Sequence, residues 1–401
     1  MRSILIASAL LAAAADWPQY FGPNHDGASS ETGLARSWPK DGPKLVWEKK
    51  AGSGLSGPVV AGGRAILFHR VDADEVVECV EAATGNEIWK KSYRSRYTDD
   101  FNFDDGPRST PLIAGDKVFT LGADGDLSAF ELMTGKQLWQ RNINKDYQVQ
   151  KGFFGVATSP MLAGGKLVIN VGGKGAGVVA FDPVTGKELW KATDHAVSYS
   201  SPITAKIDNE ELAIFFTRQG LLAISPNKGE VRYENPWRPR LNASVNAASP
   251  IVSGNQIFIS TSYGTGAIVL EASKGELKEV WKGDKSLSCH YSTPIRIGDH
   301  LFGIDGRQEE RARMRCVEWK SGKVLWSKPE FGCATLIAAD GLILAFTESG
   351  ELVLIEPSTK EYKELARAVI LGTKVRAPHA LSGGKVFARD GSKWVCVDVK
   401  K

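Results

Sequence analysis

The sequence is poor in the residues that hold metals and haem, and it has few long apolar runs. Cysteine occurs 5 times, with no adjacent Cys-Cys pair and no C-x-x-C-H motif, which excludes a covalently attached haem. The 6 histidines are scattered, and none stands in metal-ligand spacing. The formal net charge is only +4, so charge indicates no nucleic-acid partner.

The first 15 residues have the pattern of a secretory signal peptide. Arg2 supplies the positive charge, an apolar run extends from Ile4 to Leu11, and three alanines precede Asp16. The run is too short to cross a bilayer, although an uncleaved anchor is the alternative. No cysteine lies near the cleavage site, so we expect no lipid anchor. No later stretch reaches the ~18 apolar residues of a spanning helix. We predict a periplasmic or secreted protein without a transmembrane segment.

One eleven-residue phrase recurs along the chain. Clear copies are A-F-E-L-M-T-G-K-Q-L-W, ending at Trp139, and A-F-D-P-V-T-G-K-E-L-W, ending at Trp190. The aromatic residue follows a glycine by four positions and a small Ala or Cys by ten. We interpret each copy as two strands around a glycine turn, with the indole docking onto the small residue of the next sheet. The predicted docking residues are Trp47, Trp89, Trp139, Trp190, Trp281 and Trp326.

A second signal opens each unit, because Ser or Thr with Pro precedes an apolar strand. Ser109-Thr110-Pro111 and Ser159-Pro160 are clear examples, and Ala377-Pro378 is a weaker one. Proline is tolerated at the first residue of a strand, where its missing N–H is not needed. Eight openings at intervals of roughly 41 to 53 residues suit units of four strands.

The two ends of the chain predict how the ring closes. The eighth unit stops at Lys401 without an outer strand or tryptophan, whereas residues 44–48 form an orphan strand with Trp47 before the first opening. Pairing the orphan strand with the last unit completes an eighth sheet. We therefore predict an all-β, eight-bladed β-propeller over residues 44–401, preceded by a signal peptide at 1–15 and an extension at 16–43.

The phrase x-A-x-D-x-x-T-G-K-x-x-W resembles the tryptophan-docking repeat of PQQ-dependent dehydrogenases. Residues 17 to 400 resemble the PQQ-like propellers of exported bacterial proteins, including the type related to BamB, an outer-membrane assembly factor. The opening W-P-Q-Y-F-G-P at residues 17–23 and the segment G-P-R-S-T-P at 106–111 are similar to that group. This resemblance implies an exported scaffold that binds protein partners in the cell envelope.

The alternative implied by the same resemblance is an oxidoreductase that uses PQQ with calcium. Such enzymes carry a calcium ion held by carboxylate and amide oxygens, and often adjacent cysteines, which this sequence lacks. We therefore expect a non-enzymatic protein with no catalytic residue, no cofactor and no metal. Asp100, Asn102 and Asp104 alternate as in a calcium loop, but the glycine comes one residue late and no Glu follows. We favour a solvated loop whose two Phe pack down on the protein face.

The cysteines are best explained as small buried residues. Cys79, Cys316 and Cys396 occupy the small-residue position of the phrase. Cys289 and Cys333 precede openings of consecutive units, and a disulfide between them remains open.

Any binding site should lie at the end of the ring where the chain enters each opening. Aromatic and Arg residues around a depression are typical of protein-binding surfaces. The alternative is that they only plug the axial channel. The candidate residues are Arg108, Phe154, His195, Tyr199, Asn246, His290, Tyr291 and Arg376.

Overall fold

In the computed structural model, which describes residues 15–401, eight sheets are arranged as a β-propeller. We name the strands of each blade A to D from the axis outward. The A strands of neighbouring blades contact one another around the axis, as they do between blades 1 and 2 and between blades 1 and 8. The predicted eight-bladed, all-β fold is confirmed.

The blades follow one another along the chain, and every A-B-C-D sheet is antiparallel. Strands A to D of blades 1 to 4 are Val59–Ala61, Arg64–Val71, Asp74–Glu81 and Glu87–Arg94; Leu112–Ala114, Lys117–Leu121, Asp126–Glu131 and Gln137–Asn142; Met161–Ala163, Lys166–Gly173, Ala176–Phe181 and Glu188–Ala192; Ile203–Ile207, Glu210–Phe216, Gly220–Ile224 and Val231–Pro236. Those of blades 5 to 8 are Ile251–Ser253, Gln256–Thr261, Gly266–Ser273 and Glu276–Gly283; Ile295–Ile297, His300–Asp305, Arg313–Glu318 and Val324–Lys328; Ala334–Ala339, Leu342–Thr347, Glu351–Glu356 and Lys363–Val369; Ala380–Ser382, Lys385–Arg389, Lys393–Asp398 and Lys44–Lys50.

Little else in the described residues is regular. A short helix spans Ile143–Asp146, a 3₁₀ turn spans Gln308–Glu310, and Ala28–Ser29 pairs in parallel with the A strand of blade 7. Within residues 15–401 we find no helix long and apolar enough to cross a membrane. The predicted signal peptide lies, except for Ala15, outside the described residues and stays a prediction.

Blade 8 is completed by the N-terminal strand, as the sequence predicts. Lys44–Lys50 is antiparallel to Lys393–Asp398, and Trp47 lies opposite Cys396. Because strand D of this blade comes from the other end of the chain, the ring is closed by main-chain hydrogen bonds rather than by side-chain packing alone.

Each indole docks on the next blade, but not on the small residue that the sequence predicted. The ring of Trp89 lies against Gly135, where an added Cβ would stand 2.5 Å from the indole. Its Nε1 donates to the carbonyl of Leu132 in the same turn, at 2.8 Å. The small residue Cys79, by contrast, is the cross-strand partner of Trp89 within its own blade. Five of the six predicted tryptophans dock in this way on the turn glycine of the neighbouring blade, and the small residue makes room for the ring within the sheet. Trp326 differs, because its ring meets a turn without glycine, where its Nε1 donates to the carbonyl of Ser358 at 2.8 Å.

The five cysteines are free and buried, so the structure contains no Cys289–Cys333 disulfide. Burial raises the pKa of Cys316 to about 11, which keeps its thiol protonated at neutral pH. These side chains serve as small apolar residues of the core.

Candidate functional site

The N-terminal extension forms the floor of a cavity on the propeller axis. Trp17 exchanges main-chain hydrogen bonds of 2.7 and 2.9 Å with Val60 of the first A strand. Pro18 O accepts the amide of Ile113 in blade 2 at 2.7 Å, and the Tyr20 hydroxyl lies 3.0 Å from Thr293 Oγ1 in blade 6. The segment thus runs across the axis, at the end of the A strands away from their opening prolines. It closes the axial channel from below.

The wall of the cavity is built from the Ser/Thr-Pro openings. Thr110 N donates to Ser159 Oγ at 3.1 Å, and Ser159 N donates to Ser201 Oγ at 3.2 Å. Ser249 N donates in the same way to Thr293 Oγ1 at 2.9 Å. In each case the hydroxyl of one blade accepts the opening amide of the preceding blade. The hydroxyl is therefore needed to join neighbouring blades around the axis, in addition to the role of proline at the strand start.

The mouth of the cavity carries aromatic and arginine side chains from the loops that lead into the A strands and from strand B–C turns. The cavity has a volume of ≈ 280 Å³ and a mostly apolar lining. Residues at or near its mouth are Phe103, Arg108, Phe154, Tyr199, Tyr263, His290, Tyr291, Arg307 and Arg376. Because the floor is closed, a ligand can enter only from this end.

Six of the eight candidate residues line the cavity: Arg108, Phe154, Tyr199, His290, Tyr291 and Arg376. The other two do not line it. His195 is buried between Thr217 Oγ1 and Glu234 Oε1, at 2.8 and 3.0 Å. Asn246 Nδ2 donates to the carbonyl of Thr217 at 2.8 Å. Both hold the loops between blades 3 and 5 in place and are not available to a ligand in the cavity.

Arg108 lines the cavity, but its guanidinium is already engaged. Nη2 donates to Asp99 Oδ2 at 2.7 Å and to Asp104 O at 2.9 Å. The guanidinium also lies over the rings of Tyr97 and Phe154, 5.5 and 5.7 Å from their centroids. Its role is to fix the loop between blades 1 and 2, so replacing Arg108 would disturb this loop as well as the cavity wall.

Arg376 and Arg307 differ from Arg108 because part of each guanidinium is free. In the described part of the chain, Arg376 forms a hydrogen bond only through Nε, to Glu348 Oε1 at 2.6 Å. Arg307 contacts Glu310 Oε1 through Nε and Nη2, at 3.1 and 2.8 Å, and no partner of its Nη1 is found within residues 15–401. The guanidinium of Arg307 lies 4.7 Å from the centroid of Tyr263. Both arginines therefore offer N–H donors at the mouth.

His290 is a neutral residue of the mouth. Burial lowers its pKa to about 4. Its Nε2 lies 2.9 Å from the hydroxyl of Tyr263, while Nδ1 is buried and finds no partner in the described residues. When Nε2 accepts a hydrogen bond from the Tyr263 hydroxyl, the single N–H of the neutral imidazole is on Nδ1, which is then a further donor.

Four phenylalanines form a cluster beside the cavity. Phe101, Phe103, Phe153 and Phe154 have ring centroids 5.4 to 6.4 Å apart. The first three are 50%, 59% and 41% exposed, respectively. The expectation that the two Phe of the acidic loop pack down on the protein holds in part: both rings contact Phe154 and Phe103 lines the cavity, but about half of each side chain stays in solvent. Exposed aromatic clusters of this kind are typical of interaction surfaces.

The acidic loop around residues 99–106 is held by its own main chain. Asp99 accepts the amides of Phe101 and Asp104, and Asp104 accepts those of Gly106 and Gly54. Within residues 15–401, no group of three or more His, Cys, Asp or Glu side chains is placed to hold a metal ion. Of the residues that alternate as in a calcium loop, Asp104 thus accepts two main-chain amides, and Asp100 Oδ1 accepts a hydrogen bond from Lys151 Nζ at 2.6 Å.

The cavity lining does not fit PQQ with calcium. Calcium takes six to eight oxygen ligands, usually with several carboxylates. The lining contains a single carboxylate, Glu309, whose side chain is exposed at the mouth. The wall hydroxyls Thr110, Ser159 and Thr293 are occupied by amides of neighbouring blades.

Sequence reasoning missed the floor residues Trp17, Tyr20 and Phe21, and the mouth residues Tyr263 and Arg307. The available signal for the floor was an aromatic run at 17–21 that belongs to no repeat. Tyr263 and Arg307 lie on B–C turns, which approach the axis at the same end as the openings but carry no common motif. The only feature of the sequence that pointed to a B–C turn near the axis was the greater length of the turn at 306–312 in blade 6.

A family model described as outer membrane protein assembly factor BamB matches residues 31–192 and 74–328. Among solved structures, BamB from Moraxella catarrhalis is similar over 88% of this chain and 98% of its own, with a TM-score of 0.60 and 14% identity. A computationally designed protein, Ika8, is similar over 89% of this chain and 100% of its own, with a TM-score of 0.60 and 14% identity.

The quinohemoprotein alcohol dehydrogenase from Comamonas testosteroni is similar over 96% of this chain and 81% of its own, with a TM-score of 0.52 and 15% identity. No curated protein matches the sequence. Identities this low establish a shared fold and leave function to the site itself.

Proposed function

The chain belongs to the family of PQQ-like repeat propellers whose model is described as outer membrane protein assembly factor BamB, and on that premise we propose that it is a non-enzymatic propeller that binds protein partners in the cell envelope. The predicted export signal supports action outside the cytoplasm. We propose further that it works without PQQ or calcium, because the lining supplies too few carboxylates for that metal.

The observation that carries this proposal is the cluster of exposed phenylalanines beside the cavity. Phe101, Phe103 and Phe153 come from two neighbouring loops and leave about half of each side chain in solvent. Burying aromatic side chains at an interface is strongly favourable, and such residues dominate measured binding energies. The cluster stands at the end of the ring where the inter-blade loops gather, next to the free donors of Arg376.

The test is affinity capture with the full-length chain from the envelope fraction of its own cells. The variant F101S/F153S removes two rings that do not line the cavity. The matched control V184S/V369S removes exposed apolar side chains, 62% and 72% exposed, from other parts of the surface. We expect the wild type and the control to capture the same proteins, and F101S/F153S to capture them at least tenfold less.

Equal capture by F101S/F153S would contradict the proposal, as would a wild type that captures nothing above background. Thermal unfolding of all three proteins shows whether the ring is intact. We expect similar melting temperatures, because each substituted side chain is at least 41% exposed and none belongs to the core.

A further inference from the structure

We propose that the axial cavity binds one small aromatic carboxylate, in a site that shares Phe103 and Phe154 with the phenylalanine cluster but does not include Phe101 or Phe153. The ligand would enter through the mouth, place its ring among the aromatic side chains and direct its carboxylate to Arg376 and Arg307. This goes beyond the proposed binding of protein partners and can fail or succeed independently of it.

The enclosure of the cavity is the first argument. Trp17 and Phe21 of the floor are 3% and 7% exposed, and the segment that carries them is hydrogen-bonded to blades 1 and 2. The channel is therefore a blind pocket rather than a pore. Its volume of ≈ 280 Å³ is close to the lower limit of about 300 Å³ for small-molecule sites. A small aromatic acid fits such a volume better than a large cofactor does.

The aromatic side chains of the lining favour a planar ligand. Tyr20 and Phe21 lie at the floor, and Phe154, Tyr199 and Tyr291 lie in the wall and mouth. Phe154 and Tyr199 are fixed against each other, with centroids 5.4 Å apart at 64°. The Tyr199 hydroxyl also accepts the amide of Phe154 at 3.0 Å. Aromatic faces held in place favour a planar aromatic ligand through stacked and edge-to-face contacts.

The donors at the mouth are the third argument. Arg376 is held through Nε by Glu348, so its two Nη groups are left for an acceptor. Arg307 is held by Glu310 and offers Nη1. His290 Nδ1 is buried without a partner in the described chain. A group of N–H donors around an apolar cavity selects a ligand that carries acceptor oxygens, and a guanidinium prefers a carboxylate.

The charge at the mouth limits the ligand to a single carboxylate. Arg376 and Arg307 are each paired with one glutamate, and Glu309 adds a further negative charge to the lining. These five side chains sum to a charge of −1, so the attraction for a carboxylate rests on the free N–H donors and not on net charge. The free donors can satisfy one carboxylate, whereas a ligand with several would meet uncompensated repulsion.

The probe for this proposal is benzoate, titrated into the full chain by isothermal calorimetry, with benzyl alcohol as its neutral counterpart. We expect saturable binding of one benzoate per chain and at least tenfold weaker binding of benzyl alcohol. The variant R376Q should weaken benzoate binding at least tenfold. R238Q, which changes an exposed arginine outside the cavity, should leave it unchanged.

The second pair of variants fills the cavity. Ala247 lines it, so A247L should reduce benzoate binding at least tenfold, whereas A83L on an exposed turn should not. If A247L lowers the melting temperature, A157V offers a smaller filling substitution at another lining residue. Binding that fails to saturate at one per chain, that is as tight for benzyl alcohol, or that survives cavity filling would overturn the proposal.

The F101S/F153S protein separates this proposal from the proposed function. Neither side chain lines the cavity, so that variant should bind benzoate like the wild type. If F101S/F153S loses protein capture but binds benzoate like the wild type, both proposals are supported. Absence of benzoate binding in a wild type that still captures protein would refute the cavity site alone.

Discussion

Replacing the buried Glu75 by Gln should stabilise the ring at pH 8 and leave it unchanged at pH 4.5. Glu75 is 0% exposed, between blades 1 and 2. Its Oε1 accepts the amide of Ala123 at 2.8 Å, while Oε2 has no partner among the described residues. Burial raises the pKa of this carboxyl from 4.5 to about 7. Glutamine keeps an acceptor for the Ala123 amide and carries no charge at any pH.

The direction and the size of the stability change in E75Q follow from the difference in the Glu75 pKa between the folded and unfolded states. Between pH 4.5 and 7, the folded state holds the Glu75 proton more tightly than the unfolded state does. Wild-type stability therefore falls as pH rises through this window and stays low above it. A shift from 4.5 to about 7 corresponds to about 3 kcal/mol at most. With an unfolding entropy of about 0.8 kcal/mol/K for a chain of this size, E75Q should melt about 4 °C higher than wild type at pH 8.

The assay is thermal unfolding from pH 4.5 to 8.5, followed by circular dichroism. The control is E87Q, an exposed glutamate on the outer strand of the same blade, which should follow the wild type at every pH. A gain in E75Q that is the same at every pH, or an E75Q protein that melts no higher than wild type at pH 8, would refute the reasoning.

Two further predictions concern how the ring is held together. Deleting residues 44–50 should abolish the cooperative melting transition, because blade 8 loses its outer strand; a deletion protein that melts at the wild-type temperature would refute this. G135A should destabilise the fold by about 3 kcal/mol, since φ is +69° and the new Cβ would stand 2.5 Å from Trp89. The control G175A has φ +64° with no atom within 4 Å of the new Cβ, so it should cost only about 1 kcal/mol; equal melting of the two variants would contradict the docking role of Gly135.

The ring could be predicted from sequence because its repeat is local and strict. The spacing of Trp139 from Gly135 and Ala129 recurs in every clear copy, and the missing outer strand of the last unit matches the orphan strand with Trp47. The residue on which the indole docks was predicted wrongly, because sequence spacing does not tell whether a small residue contacts the indole of its own sheet or the indole of the next sheet. A register shift between Gln137 and Trp139 places the indole opposite Ala129, within one blade, while its face meets the next blade at Gly186.

The cavity could be predicted only in part. Arg108, Phe154, Tyr199 and Tyr291 were found because they lie just before the openings, whose position at the axis follows from the fold. The floor could not be predicted, since Trp17 and Tyr20 belong to no repeat and reach the axis through pairings with Val60 and Thr293 that leave no trace in local pattern. Whether an arginine is engaged or free likewise depends on loop conformation, as Arg108 illustrates.

The same N-terminal stretch completes the ring and forms the floor of the cavity, so a ligand bound at the proposed site should stabilise the fold. Residues 44–50 complete blade 8, while Trp17 and Tyr20, upstream on the same stretch, form the cavity floor. Trp17 and Tyr20 are held by contacts with blades 1 and 6, so unfolding of the ring removes the cavity as well. A ligand that binds only the closed ring stabilises it by RT ln(1 + [L]/Kd), about 2.7 kcal/mol at a hundredfold excess over Kd. Benzoate should thus raise the melting temperature of the whole ring, and A247L, which keeps the ring but fills the cavity, should lose that increase.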